Sequence, residues 1–249
     1  MRLSESETSE NSLINHPTTA LVSDQNETDS QGFTPVLTNS RFVVLWSGQI
    51  FSQLADKVYL VLMIAIIANQ FQLPNQPISQ WVSPIMIAFT IPAVLFGSLA
   101  GVYVDRWQKK SILVISNLLR GILVLCLPPL LLIAQGKTLF QTLPLGFGLL
   151  LVITFLVSTF TQFFAPAEQA VIPLIVKDKN LLAANSLYTT TMMALLIIGF
   201  AIGDPLLDLA DSLASQVGLP VSIGKEILVG GAYAIAGIIL LRLQTGEKF

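Results

Sequence analysis

Six long runs of apolar residues constrain the fold of this sequence more than any other feature. A helix needs about twenty apolar residues to cross a hydrocarbon core about 30 Å thick, and each run reaches that length. The predicted transmembrane helices cover about residues 42–68, 81–104, 111–134, 143–164, 181–207 and 223–241. Hydrophobic residues make up 53% of the chain and charged residues only 11%, whereas soluble domains carry about 25% charged residues. The sequence therefore predicts an all-α membrane protein with a six-helix transmembrane domain over residues 41–242.

Residues 1–40 differ from the rest of the chain in composition. They are rich in Ser, Thr, Asn, Gln and acidic residues, and they show no hydrophobic periodicity. Such a segment cannot bury enough apolar surface to offset the conformational entropy that ordering would cost. We therefore predict a disordered polar tail, and we favour an inert leader over a phosphorylation or docking segment.

The positions of Lys and Arg between the apolar runs predict the orientation of the chain. Cytoplasmic connections of membrane proteins carry an excess of these residues. Here they flank the first and last runs and fill the second and fourth connections, at Arg41, Arg106, Lys109, Lys110, Lys177, Lys179, Arg242 and Lys248. The odd connections carry only Lys137 and Lys225. Both termini are therefore expected in the cytoplasm.

Two charged residues lie deep inside predicted helices. Facing lipid, Asp56 or Arg120 would cost about 2.5 kcal/mol or more, so each is expected to face the bundle interior or a water-filled cavity. Gln49, Ser52, Gln53 and Asp56 fall on one arc of the first helix at about 100° per residue.

This polar arc has two interpretations. The first is a substrate pathway in which Gln49, Ser52 and Gln53 supply polar groups, Asp56 binds protons and Arg120 is its counter-charge. The second is that Asp56 pairs with the adjacent Lys57 or with Arg120 only to hold the helices together.

Several kinds of chemistry lack the residues that they need. The only histidine, His16, lies in the polar tail, and the single Cys126 lies in an apolar run. Histidine-dependent proteolysis, HExxH sites and bis-histidine haem ligation are therefore excluded from the membrane region, and there is no P-loop. A net charge of −2 gives no reason to expect nucleic acid. We expect no enzymatic activity, metal or cofactor, and favour a transporter or part of one.

Residues 101–110, GVYVDRWQKK, lie between the second and third predicted helices. They resemble the loop motif G-x-x-x-D-R-x-G-R-K of the major facilitator superfamily. The matching positions are Gly101, Asp105, Arg106, Lys109 and Lys110. Gln108 stands in place of the second glycine, and Lys109 replaces arginine.

A second stretch joins the fourth and fifth predicted helices. The residues FFAPAEQAVIP at 163–173 and LLAANSL at 181–187 are similar to the same connection in the bacterial enterobactin and macrolide exporter branch. Those exporters commonly carry arginine where this chain has Glu168.

The resemblance implies one half of a twelve-helix bundle that works by alternating access in a bacterial plasma membrane. It implies proton-coupled export of small organic molecules; uptake, or a non-transporting membrane scaffold or interaction domain, are the alternatives. Protons, a small-molecule substrate and the lipid bilayer are the implied partners. Because the sequence ends after the sixth helix, we also expect a missing C-terminal half, a partner chain or a second copy. Truncation is favoured, with residues 243–249 as the start of a cytoplasmic linker.

The resemblance also implies a role for the loop at residues 101–110. In the family, the loop aspartate meets basic loop residues and the other half of the protein and holds the cytoplasmic side closed. Carried over, Asp105 with Arg106 and Lys109 or Lys110 forms a cytoplasmic gate next to Gly101. The alternative is that these charges are only an orientation signal for insertion.

Overall fold

The computed structural model describes residues 32–139, 143–218 and 223–246, and helices account for most of them. The described α-helices are α1 (Thr34–Leu37), α2 (Ser40–Gln70), α3 (Ser79–Arg106), α4 (Lys109–Leu125), α5 (Leu127–Ala134), α6 (Leu145–Ile175), α7 (Leu181–Gln216) and α8 (Gly224–Leu241). Two short strands, β1 (Thr138–Leu139) and β2 (Leu143–Pro144), pair antiparallel before α6. A single 3₁₀ turn at Asp178–Asn180 leads into α7.

Within the described residues, six helical units are long and apolar enough to cross a membrane, which confirms the predicted fold class. The helices extend beyond some of the predicted apolar limits. The fourth unit, α6, continues past residue 164 to Ile175, and the fifth, α7, continues past residue 207 to Gln216. Pro166 and Pro205 lie inside these helices. Hydropathy detects only the apolar part of a helix, whereas the backbone hydrogen bonds of these helices continue beyond it. Prolines are tolerated in membrane helices because neighbouring groups satisfy the backbone groups that they leave unpaired.

The third membrane unit consists of two helices. α4 ends at Leu125, and α5 begins at Leu127 with Pro128 in its first turn. Proline has no backbone N–H, so it fits the first turn of a helix and interrupts the hydrogen bonding of a helix that precedes it. The sequence Leu127-Pro128-Pro129 therefore restarts the helix within the span.

The fraction of buried residues shows that α2 lies in the interior of the bundle. Neighbouring helices follow the order α3, α6, α4, α8, α2 and α7, with a further contact between α7 and α8. In the most apolar part of α2, 56% of residues are buried, against 17% in α3 and 22% in the unit that contains α7. α3 and α7 therefore present apolar faces that the described part of the chain does not cover.

Small residues bring particular helices close together. A Cβ added at Gly199 of α7 would lie 2.6 Å from the Cβ of Lys57, and one at Gly203 would lie 2.9 Å from Val61 Cγ2. By contrast, a Cβ at Gly97 or Gly101 of α3 would meet nothing within 4 Å. The first two glycines hold α7 against α2, whereas the glycines of α3 face open space.

The folded region begins before residue 41, so the prediction of disorder was wrong for residues 32–40. α1 places Val36 in a buried cluster with only 1% exposure. Asn39 caps α2 by accepting a hydrogen bond from the Arg41 N–H, and its Nδ2 donates to the carbonyl of Ile175 at 2.7 Å. Asn is a favoured helix cap, which a reading by hydropathy alone misses. The rest of the predicted tail, residues 1–31, lies outside the described residues.

The end of the predicted domain is also packed. Leu243, which begins the predicted linker, has 0% exposure. Residues 247–249 of that linker lie outside the described residues.

Candidate functional site

A fully buried arginine organises the polar interior of the bundle. Arg120 lies on α4 with 0% exposure. Its five N–H groups reach Asp56 Oδ1 (2.9 Å), Thr161 Oγ1 (3.2 Å), Ser52 Oγ (3.0 Å), Asn117 Oδ1 (2.9 Å) and the Ser116 carbonyl (3.3 Å). A guanidinium has five N–H donors in total. Every donor of this cation therefore has an acceptor, although the group is closed to water.

Two aromatic rings complete the surroundings of this cation. The guanidinium carbon of Arg120 lies 4.7 Å from the ring centroids of both Phe164, on α6, and Tyr233, on α8. A cation over a ring face gains about 2 kcal/mol or more when desolvated. The rings exclude water and add to the hydrogen bonds, so the arginine is held on several sides.

Asp56 is the anionic partner of Arg120. Its Oδ1 accepts from Arg120 Nη1 at 2.9 Å and from the Tyr233 hydroxyl at 2.6 Å. The residue is 5% exposed. Together with the bond from Arg120 to Thr161, this arrangement ties α2, α4, α6 and α8 to one point. Removing one partner of a buried ion pair strongly destabilises a protein, so the packing of these four helices depends on both residues.

The structure brings together part of the predicted polar arc. Ser52 and Asp56 meet Arg120, and of the two partners considered for Asp56 the ion pair forms with Arg120. Gln49 turns to α7 instead, where its Nε2 donates to the Tyr188 carbonyl at 3.2 Å. Gln53 is buried on the same helix with 8% exposure.

Sequence reasoning missed several members of this site. Tyr233, Thr161 and Asn117 are common residue types in apolar helices, and no pattern in the sequence separates them from others. Glu168 did give a signal, because ionisable residues are rare within membrane-spanning helices and usually face the bundle interior. It lies beyond residue 164, where the fourth predicted span ended, and α6 includes it.

Glu168 lies on the α7 side of the cluster. It has 0% exposure, and its Oε2 accepts a hydrogen bond from the Tyr188 hydroxyl at 2.7 Å. Tyr188 therefore connects α7 to α6 through its side chain and to α2 through its carbonyl. We call Glu168, Tyr188 and Gln49 the tyrosine junction.

The predicted gate residues lie apart from this interior cluster, at one end of the bundle. Asp105 and Arg106 are exposed at the end of α3, while Lys109 and Lys110 are half-buried at the start of α4. Lys109 Nζ donates to the Asp105 carbonyl at 3.4 Å. Gly101 is half-buried one turn before. The loop is thus compact and presents its acidic and basic groups at the surface.

An apolar groove of about 430 Å³ runs between α3 and α6, lined by residues that include Pro84, Ile91 and Phe155. None of its lining residues belongs to the polar cluster. The groove offers almost no hydrogen-bonding surface to a polar molecule. We therefore place the candidate site at the polar cluster.

Comparison with known proteins identifies the family. The family model described as the Major Facilitator Superfamily matches residues 45–247. The chain belongs to the Major Facilitator Superfamily. Its six membrane-length helices form one half of a bundle of the major facilitator type.

A curated protein is similar to part of this superfamily member. The uncharacterized MFS-type transporter YfiS of Bacillus subtilis (strain 168) is 27% identical over 92 residues. The match covers 36% of this chain and 21% of that protein. No solved structure matches the chain. The more detailed resemblance to the enterobactin and macrolide exporter branch stays a prediction.

Proposed function

We propose that this chain is the N-terminal six-helix half of a secondary active transporter that exports small organic molecules by exchange with protons. The observation that carries the proposal is the buried Asp56–Arg120 pair within a bundle of this family. A charged residue inside a membrane costs about 2.5–3.5 kcal/mol on insertion scales. Such residues commonly mark ion and substrate pathways, which favours a transport role over a passive scaffold.

The polar face of α2 supplies the proposed pathway. Gln49, Ser52 and Gln53 offer hydrogen-bonding groups to a substrate once the helices separate. Proton binding to Asp56 would remove the charge that faces Arg120 and weaken the bond between α2 and α4. Because Asp56 and Arg120 also bond Tyr233 and Thr161 and so connect four helices, weakening their pair provides a link between proton binding and helix rearrangement.

The gate at residues 101–110 is the second proposed element. Asp105 and Arg106 are exposed, and no side chain among the described residues lies within 4 Å of the Cβ position at Gly101. Another body can therefore approach this face closely. We propose that a second six-helix half, a partner chain or a second copy docks there and on the apolar faces of α3 and α7 in the conformation closed to the cytoplasm.

The charge distribution supports an orientation with both termini in the cytoplasm of a bacterial plasma membrane. Arg41, Arg106 and Arg242 lie at the ends of α2, α3 and α8 that share one buried cluster. The opposite end carries Asp208, Asp211 and Glu226 around Lys225. Basic residues favour the cytoplasmic side.

Transport into inverted membrane vesicles tests the proposal. Vesicles are prepared from cells that express the complete protein, and a panel of fluorescent organic compounds is added with and without an interior-acid pH gradient. We expect accumulation that depends on the gradient for the wild type, and its loss in Asp56→Asn protein that is still folded in the membrane. Asp208→Asn, which alters an exposed aspartate, is the matched control and keeps the wild-type rate.

The alternatives give different outcomes in the same assay. A membrane scaffold would produce no accumulation of any compound above vesicles that lack the protein. An uptake permease would accumulate substrate in right-side-out vesicles instead. Unchanged gradient dependence in Asp56→Asn would remove Asp56 from the coupling mechanism.

A further inference from the structure

Glu168 is a buried carboxyl with only one hydrogen bond. The Tyr188 hydroxyl donates to its Oε2 at 2.7 Å, while its Oε1 is buried and has no hydrogen-bond partner. Within residues 32–139, 143–218 and 223–246, no Lys or Arg lies within ion-pair distance of it. A carboxylate buried in this way would carry an uncompensated charge. The charge of Asp56, by contrast, is compensated, because its Oδ1 accepts from both the Arg120 guanidinium and the Tyr233 hydroxyl.

A second unpaired acceptor belongs to the same junction. The Oε1 of Gln49 is buried and has no hydrogen-bond partner, while the Nε2 of the same residue donates to the Tyr188 carbonyl. Buried polar groups are nearly always hydrogen-bonded, so an unpaired one needs an explanation. Glu168 and Gln49 both bond Tyr188 and each keeps an unpaired oxygen, so this junction contains fewer hydrogen-bond donors than acceptors.

The charges around Glu168 do not supply that donor. Arg120 of α4 and Asp56 of α2 both act on it electrostatically, with opposite signs. Arg120 already donates all five of its N–H groups elsewhere. The amide of Gln53, also on α2, acts on Glu168 as a hydrogen-bond donor from outside hydrogen-bond distance, because Oε1 has no partner. Tyr188 is the neutral group that faces Glu168 from α7.

The other charged groups on α3 and α4 lie at one end of those helices. α3 also packs against α6, and its charged residues Asp105 and Arg106 are exposed at the end of the helix. Lys109 and Lys110 of α4 are half-buried at the same end. None of them forms an ion pair with Glu168 in the part of the chain that the structure describes.

We infer that Glu168 is a second proton-binding residue, and that it holds a proton in this conformation while Asp56 is ionised. The proton converts Oε1 from an unpaired acceptor into a donor and removes the uncompensated charge. Neither unpaired oxygen is accessible to water, which favours a proton over a larger cation. The role of this proton in transport rests on the proposed exchange mechanism, whereas its presence on Glu168 does not.

The tyrosine junction gives the proton a route of release. Glu168 lies on α6 and Tyr188 on α7, so relative movement of these helices separates the two side chains. Water then reaches the carboxyl, its O–H bond breaks, and the proton passes to water while Glu168 becomes a carboxylate. On closure the reverse transfer restores the neutral acid and its bond from Tyr188.

Infrared difference spectroscopy of the chain in lipid nanodiscs tests the protonation directly. A protonated carboxyl has a C=O stretching band that shifts in D₂O, and a carboxylate has no such band. We expect this band at neutral pH in the wild type and in Asp56→Asn, and the loss of its Glu168 component in Glu168→Gln. Glu226→Gln is the matched control, because Glu226 is also a buried glutamate with an unpaired oxygen. In Glu226→Gln, the part of the C=O band that comes from Glu168 is expected to remain.

A second variant covers the case in which Glu168→Gln fails to fold. Tyr188→Phe keeps the carboxyl and removes its one hydrogen bond, so the Glu168 band is expected to shift to higher frequency. Absence of a protonated carboxyl band in the wild type, a band of unchanged intensity in folded Glu168→Gln, or an unshifted band in Tyr188→Phe would overturn the inference.

The vesicle assay separates this inference from the proposed function. If the wild type shows the Glu168 band and no gradient-dependent transport, the inference stands and the exchange mechanism falls. If the wild type transports with the gradient but lacks the band, the reverse holds. Where both are present, Glu168→Gln is expected to lose the dependence on the pH gradient while still equilibrating substrate across the membrane.

Discussion

Removal of either partner of the Asp56–Arg120 pair is expected to destabilise the bundle severely. Arg120→Met deletes five hydrogen bonds and leaves Asp56 with the Tyr233 hydroxyl as its donor. Asp56→Asn leaves a buried guanidinium without its counter-ion. Loss of one partner of a buried pair costs about 3–5 kcal/mol, so each single variant should lose about that much unfolding free energy.

The double variant decides whether the two residues act as a pair. Once either single change has broken the ion pair, the second has less to remove, and it eliminates the uncompensated charge. Residues in direct contact show interaction energies of about 0.5–3 kcal/mol. The variant Asp56→Asn/Arg120→Met is therefore expected to be more stable than the sum of the single effects by that amount.

Equilibrium unfolding in mixed detergent micelles, followed by circular dichroism as the fraction of denaturing detergent rises, measures these differences. Arg106→Met is the matched control, since this arginine is exposed at the end of α3. A surface substitution of this kind changes stability by less than about 0.5 kcal/mol. Effects of the two single variants that add to within about 0.5 kcal/mol would refute the pairing, as would an effect of Arg120→Met no larger than that of the control.

Two further predictions concern the packing of the helices and the charged end of the bundle. Gly121→Ala is expected to destabilise the chain by about 1–3 kcal/mol, because its Cβ would lie 2.9 Å from the Gly230 carbonyl oxygen. Gly97→Ala, which meets nothing within 4 Å, should stabilise α3 by up to about 1 kcal/mol; the same unfolding assay compares the two, and equal effects would contradict the packing. Lys225→Met should cost about 0.2–1 kcal/mol, because Asp208, its nearer partner at 3.1 Å, has a side chain that is 69% exposed, whereas its second partner, Asp211 at 3.4 Å, is 18% exposed. High salt should reduce that difference, and an effect that salt does not change would point to a buried pair.

Periodicity and composition allow much of the architecture to be predicted. Runs of about twenty apolar residues become helices because backbone polar groups must be satisfied internally in a lipid core. The arc of Gln49, Ser52 and Asp56 could be predicted because helical residues three and four apart share a face. All three are buried, as an arc that avoids lipid should be.

The sequence could not decide between partners that lie on different helices. Lys57 follows Asp56 directly, yet successive residues of a helix point about 100° apart. The Cβ of Lys57 packs beside Gly199, whereas Asp56 faces Arg120, sixty-four positions away in sequence. Contacts of this range depend on which helices become neighbours, and hydropathy carries no information on that order.

The sequence by itself therefore determined the helices, their apolar lengths, the polar face of α2 and the basic ends from which we propose the orientation. Each follows from local composition and helical geometry. Only the tertiary structure decided that Arg120 has an acceptor for every donor, while Glu168 keeps an unpaired oxygen beside Tyr188. The two charged groups look alike in sequence, as single ionisable residues in apolar helices. They differ because α2, α4 and α6 surround the arginine with acceptors, whereas the glutamate meets one hydroxyl of α7.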